Sequence, residues 1–150
     1  MNFTFNDDQL LFRDSVRDLL RNEVTAERIR QRWDSDSGVD SAALQSLVDL
    51  GLTAALVPEE QGGLGLNAVD FILIAEECGR AALPEPIVDS CLVATPMLVD
   101  ADRALEGSDS RLGELLQAIA SGDQTVLCGP SINPYINFAH SADYLLLPHG

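Results

Sequence analysis

The stretch from Leu50 to Leu66 constrains this chain more than any other. An amphipathic helical pattern ends at Gly51, an apolar run Leu52-Thr53-Ala54-Ala55-Leu56-Val57 follows, and Pro58 then opens a turn holding Gly62, Gly63 and Gly65. A second helical pattern begins at Asn67. Glycine supplies backbone conformations with positive φ and lets two backbones approach closely, so the turn reads as a tight connection between two helices. A phosphate cradle is the sharper alternative. The turn lacks the Lys-Ser/Thr of a P-loop and the spacing of Gly-x-Gly-x-x-Gly. Glu59 and Glu60 could be taken for an acid–base pair, but beside a helix amino terminus they read as solvated or capping groups.

The flanking segments carry helix signals. Asn6 is placed as an N-cap with Gln9 three residues on, a capping box. Leu11, Phe12, Val16, Leu19, Leu20 and Val24 follow at helical spacing, which predicts a helix from Asp7 to Glu23 that breaks and continues toward Trp33. Asp34 to Asp40 reads as a loop. A helix after Asp40 turns Leu44, Leu47 and Val48 inward, with Gly51 at its C′ position. The helix from Asn67 to about Ala82 is apolar over much of its circumference and is expected at the centre of the bundle. Pro86 suits the first turn of a further helix, Ile87 to Leu105, which Pro96 should kink or divide. Asp109 or Ser110 caps a last helix that ends at Ser121-Gly122-Asp123.

Beyond residue 123 the pattern changes. Thr125-Val126-Leu127-Cys128 and Tyr144-Leu145-Leu146-Leu147 read as short strands. Two strands with open edges do not make a stable sheet alone, so residues 124–150 are expected to begin an incomplete β domain. The fold class is then mainly α: an orthogonal or up-down bundle of five to six helices over residues 1–123, followed by the first strands of that domain.

This order of residues resembles the acyl-CoA dehydrogenase family. Val57-Pro58-Glu59-Glu60-Gln61-Gly62-Gly63-Leu64-Gly65 matches the family's Val-Pro-Glu-Glu-(aromatic)-Gly-Gly-Leu-Gly, with Gln61 replacing the aromatic. Glu76-Glu77-Cys78-Gly79-Arg80 matches its Glu-Glu-(small)-Gly-Arg helix end. Phe5 to Arg13, Ile119 to Asp123 and Ala142 to Leu147 match further family segments, so the likeness covers most of the chain. The resemblance implies FAD as cofactor, an acyl-CoA thioester as substrate, α,β-desaturation as the reaction, electron-transfer flavoprotein as electron acceptor, and a homo- or hetero-oligomer. In the family a glutamate of a carboxy-terminal domain removes the α-proton, and the β-hydrogen leaves as hydride to the flavin. No residue of these 150 corresponds to that glutamate, so activity is expected only of a complete assembly.

The resemblance also points to positions. The family's helix after the proline-rich lead-in lines the acyl pocket, which singles out Ser90, Cys91, Ala94 and Met97; ordinary core packing is the other reading of that stripe. The family's flavin-contacting Thr-Glu-Pro-x-Ala-Gly-Ser is here Cys128-Gly129-Pro130-Ser131-Ile132-Asn133-Pro134, and only the proline is kept. Cys128 and Ser131 are the candidate flavin contacts. This departure resembles divergent dehydrogenases and non-catalytic partner subunits of heteromeric members, so a structural or interaction subunit stands as the competing reading.

Charge excludes other classes. Nine basic residues, all arginine, face 24 acidic ones for a net charge of −15, which argues against nucleic acid and against an anionic membrane surface. Broad attraction of coenzyme A is excluded on the same ground. Arg13, Arg17 and Arg21 form one stripe interleaved with Asp14 and Asp18, read as a solvated salt-bridged face or as an anion or subunit contact. No apolar stretch approaches the length of a membrane span, and the first residues lack a signal peptide's pattern. Cys78, Cys91 and Cys128 read as reduced thiols in a cytoplasmic protein. His140 and His149 are isolated and are not expected to bind metal. Trp33 is expected to pack against the bundle.

Overall fold

The computed structural model describes residues 4–35, 38–129 and 135–148. It holds six α-helices and two short strands: α1 (Asp7–Glu23), α2 (Ala26–Trp33), α3 (Ser41–Asp49), α4 (Ala68–Arg80), α5 (Thr95–Ala104), α6 (Ser110–Ala120), β1 (Val126–Cys128) and β2 (Tyr144–Leu146). A π-helical segment, Asp89–Ala94, leads directly into α5. The architecture is mainly α, as the periodicity predicts. No helix among the described residues is long and apolar enough to cross a membrane.

Caps fix the helix starts where the side chains can supply them. Asn6 accepts from the Gln9 amide while the Gln9 side chain accepts from Asn6 N–H, both at 2.8 Å. Asn67 and Asp70 form the same reciprocal pair on α4, and Asp40 and Asp109 cap α3 and α6. Each cap satisfies amides with no intrahelical partner and stabilises by about 1 kcal/mol.

Two apolar clusters meet at the run 52–57. The first gathers Val16 and Leu20 of α1, Leu47 of α3, Leu52, and Phe71 and Ile74 of α4. The second gathers Val57, Ala94, Leu98, Leu116, Ile119 and Val126. Every residue from Leu52 to Val57 is buried, although the run is too short and irregular to satisfy its own backbone as a helix does. The glycine turn supplies the missing partners. Leu64 N–H donates to the Ala54 carbonyl at 2.8 Å, Leu66 N–H to Ala55 at 2.9 Å and Gly65 N–H to Val57 at 2.9 Å. The connection is therefore a backbone clasp around a buried run. Its glycines differ in kind: Gly62 and Gly65 hold φ of 81° and 61°, while a Cβ on Gly63 would sit 2.0 Å from the Val57 carbonyl oxygen.

The α6 end is tied in the same region. Thr53 Oγ1 donates to the Ala120 carbonyl at 3.2 Å, and Gly122, at φ 77°, leaves room for Val48, whose methyls would lie 2.6 Å from a Cβ there. β1 and β2 pair in parallel, Val126 with Tyr144 and Cys128 with Leu146. Asp143 Oδ2 accepts from Thr125 N–H at 2.7 Å and sets that register.

Three expectations need correction. Trp33 does not pack against the bundle; it is 77% exposed. The adjacent Arg32 takes the inward position of α2, because its guanidinium reaches the buried Glu85 carboxylate at 3.0 Å and Asp40 at 3.3 Å. α4 is not central. Phe71, Leu73 and Ile74 face inward, but Val69 and Ile72 are 56% and 51% exposed. The arginine stripe is not uniformly solvated either: Arg17 leaves it to bind Glu77 of α4, side chain 2% exposed, through Nη2 at 2.7 Å and Nε at 3.0 Å. A bidentate guanidinium is the arrangement that best compensates a desolvated carboxylate.

That bond holds the Glu77 carboxyl below the usual carboxylate range, against the opposing effect of burial. With the folded value below the unfolded one, ionised Glu77 adds stability that is complete above about pH 5 and is lost as acid titrates it. Glu85 has the opposite sign: burial raises its carboxyl, with Arg32 pulling it back.

Two stability measurements check this arrangement. Gly63→Ala should cost at least about 3 kcal/mol, because the clasp must open. Gly62→Ala, whose Cβ would meet open space, should cost only about 1–2 kcal/mol from its left-handed backbone. Equal costs in urea unfolding would contradict the clasp. Glu77→Gln should lose about 2–3 kcal/mol at pH 7 and approach the parent's stability toward pH 3, read from unfolding curves along the pH series.

Candidate functional site

Pro96 shapes the site. It has no N–H to give to the preceding turn, and the helix answers by widening ahead of it. Thr95 N–H reaches back to the Ser90 carbonyl with i→i−5 bonding, and Thr95 Oγ1 donates to the same oxygen at 3.0 Å. The proline thus neither ends nor sharply breaks the helix; a π-turn absorbs it. The widened turn keeps i, i+4 neighbours on one face. Asp89, Val93 and Met97 turn outward together, while Ser90, Cys91 and Ala94 are buried.

The outward face forms one wall of a groove of about 580 Å³, with the end of β1 and residues 135–137 and 146–148 opposite. Cys128 and Met97 meet there, Sγ to Sδ at 3.6 Å. Gly129 closes the strand end: its N–H donates to the Leu146 carbonyl at 2.9 Å, and a Cβ would lie 2.7 Å from Leu147 and 2.8 Å from Ile136. Beside the groove, Asp89 also borders a cavity of about 330 Å³ that reaches Gly79 and Phe138. Phe138 holds φ 60°, a strained conformation for an aromatic residue.

Of the six candidate site residues, Met97 and Cys128 are brought together in the groove. Ser90 lies against a separate small cavity near Thr53 and Gly122. Cys91 and Ala94 are fully buried, in the first and second clusters respectively. Ser131 lies outside the described residues, as does His149. Asp89 and Val93 were not singled out from the sequence, although with Met97 they fall at i, i+4 and i+8 and so share one ordinary helical face. Proline inside an apolar helix, with a threonine just before it, was the available signal for a widened turn.

Electrostatics separate the three thiols. Burial pushes Cys78 and Cys91 up to about 12. Cys128 is raised by partial burial and then by the Asp89 carboxylate across the groove. Among the described residues no cluster of His, Cys, Asp and Glu could hold a metal ion.

The sequence resemblance implies a flavin dinucleotide, whose pyrophosphate sets a demand on the groove. A pyrophosphate needs cations or free backbone amides. No arginine lies among the described lining residues, and the Gly129 amide is committed to Leu146. The described lining is a mainly apolar wall that supplies no cation for the phosphates of FAD.

Iodoacetamide applied to the folded protein at pH 8 is expected to modify Cys128 well before Cys78 or Cys91, read by peptide mass analysis. Prior labelling of either buried thiol would contradict this placement.

Comparison with known proteins agrees with the fold. Residues 6–123 match the family of acyl-CoA dehydrogenase N-terminal domains. Acyl-CoA dehydrogenase IpdE2 of Mycobacterium tuberculosis is 28% identical over 117 residues, covering 77% of this chain and 36% of the relative. The chain thus spans about a third of that curated relative's length. A variant of the steroid ACAD Tcur3481–Tcur3483 superposes with a TM-score of 0.69 at 24% identity, covering 81% of this chain and 32% of that one. The ChsE4–ChsE5 complex from Mycobacterium tuberculosis gives 0.68 at 21% identity, with 85% and 34% covered. The two structural likenesses speak to the fold alone. With the family matched over most of its length, this chain belongs to the acyl-CoA dehydrogenase N-terminal domain family.

Proposed function

We propose that this chain is the amino-terminal helical part of an FAD-dependent acyl-CoA dehydrogenase assembly that desaturates an acyl-CoA thioester between its α and β carbons. Its own contribution is the apolar groove between Met97 and Cys128, which forms part of the wall against which the acyl group lies. The observation that carries this reading is the groove itself, opening at the end of β1 just beyond the residues 6–123 that the family match covers. Residues 124–150 open the β domain of that assembly. Its β1–β2 pair leaves Tyr144, Leu145 and Leu147 exposed, apolar surface suited to further sheet or a partner chain.

The catalytic base, and the donors for the flavin's phosphates, come from outside the described residues. This division supports a homo- or hetero-oligomer, with electron-transfer flavoprotein taking the electrons. Free cysteines support a reducing, cytoplasmic setting.

A second reading is favoured by one observation: among the described residues the groove has no cation for a pyrophosphate. In it the chain is a non-catalytic subunit that shapes the acyl pocket of a flavin-bearing partner. One experiment tests both. The natural chain carrying this domain, purified with the subunits it assembles with, is expected to be yellow and to bleach when an acyl-CoA thioester is added without oxygen. A colourless assembly, or one that does not bleach, would overturn the first reading. A chain colourless alone but yellow and active with its partner selects the second.

A further inference from the structure

One formal charge lines the groove among the described residues, and it is negative. Asp89 stands on the exposed helical face it shares with Val93 and Met97, and Leu127, Ile136 and Leu147 close the other sides with apolar surface. The volume of about 580 Å³ is that of a small-molecule site. A carboxylate or phosphate placed here would sit beside a like charge with no cation to offset it, in a chain of net charge −15. Asp89 is exposed, and like charges about 4 Å apart cost about 1 kcal/mol even in water. A neutral ligand meets the opposite situation: its apolar body is covered on several sides, and a hydroxyl on it finds the Asp89 carboxylate as an acceptor.

We propose that Asp89 sets the ligand class of this groove, admitting an uncharged, bulky apolar group that carries a hydrogen-bond donor and turning anions away. This rests on the reading of the groove as an acyl wall and narrows it. The acyl end of the substrate enters here, the phosphates of the thioester stay outside, and an acyl group ending in a second carboxylate is a poor ligand.

Naphthylmethanol and naphthoate, one skeleton with a neutral and an anionic head, test the claim on the intact chain. Binding is followed by NMR of the Met97 methyl group. Naphthylmethanol should move that resonance, with naphthoate bound about tenfold more weakly. The gap should fall below about threefold in Asp89→Asn and persist in Asp89→Glu. It should also shrink in the unaltered chain at high salt, an arm that needs no variant to fold. Urea midpoints confirm that both variants are folded. Naphthoate binding as well as the alcohol, a preference unchanged in Asp89→Asn, or no response at Met97 to either probe would each overturn the proposal. The assay contains neither flavin nor thioester. An assembly inactive toward acyl-CoA therefore leaves its result standing, and an active one can still fail it.

Discussion

Six consecutive buried residues outside regular secondary structure need an external source of hydrogen bonds, and this requirement organises the molecule. Leu52 to Val57 contributes side chains to both apolar clusters, so its backbone lies where water cannot reach it. An unpaired buried carbonyl or amide costs about 1–3 kcal/mol, and several together would cancel much of what burying the run contributes. The turn at residues 62–66 removes that cost by laying its amides on the carbonyls of Ala54, Ala55 and Val57. Contact that close requires position 63 to carry no side chain. The glycines are a packing requirement of the run, and the run in turn fixes the distance between α3 and α4.

The second organising feature is the π-turn. Helix α5 begins with a proline near its start, and the chain before it must continue helically while losing one donor. Shifting to i→i−5 bonding lets Ser90 collect both the amide and the hydroxyl of Thr95. Cys91 and Ala94 point into the core, and Asp89, Val93 and Met97, one helical face, point to the groove. The π-turn lets that face run on without a break past Pro96.

Helix positions, caps and both strands were legible in the sequence because each rests on local signals: apolar spacing, Asx caps and glycine stops. Long-range polar pairing was not. Arg17 and Glu77 stand 60 residues apart and Arg32 and Glu85 53, and nothing local says that Arg32 rather than Trp33 turns inward. The same limit applies at the site. Met97 and Cys128 could be named from the family resemblance; Asp89 shares Met97's helical face, but that this face meets the end of β1 is a matter of tertiary packing that spacing does not show. The exposure of Val69 and Ile72 on α4 was misread because composition shows an apolar helix without showing how many sides are covered.

Charge placement links scaffold to role. Three arginines are consumed within the helical bundle: Arg17 by the buried Glu77, Arg32 by the buried Glu85, and Arg28 by the partly exposed Glu23 and Asp40. Such pairs hold helices together but leave those cations committed, and with nine basic residues against 24 acidic ones none lines the groove among the described residues. A phosphate-bearing cofactor or substrate placed against this surface must have its charge met by other groups. What the described lining presents is apolar surface, with Val93 and Met97 on one side and Leu127, Leu146 and Leu147 on the other.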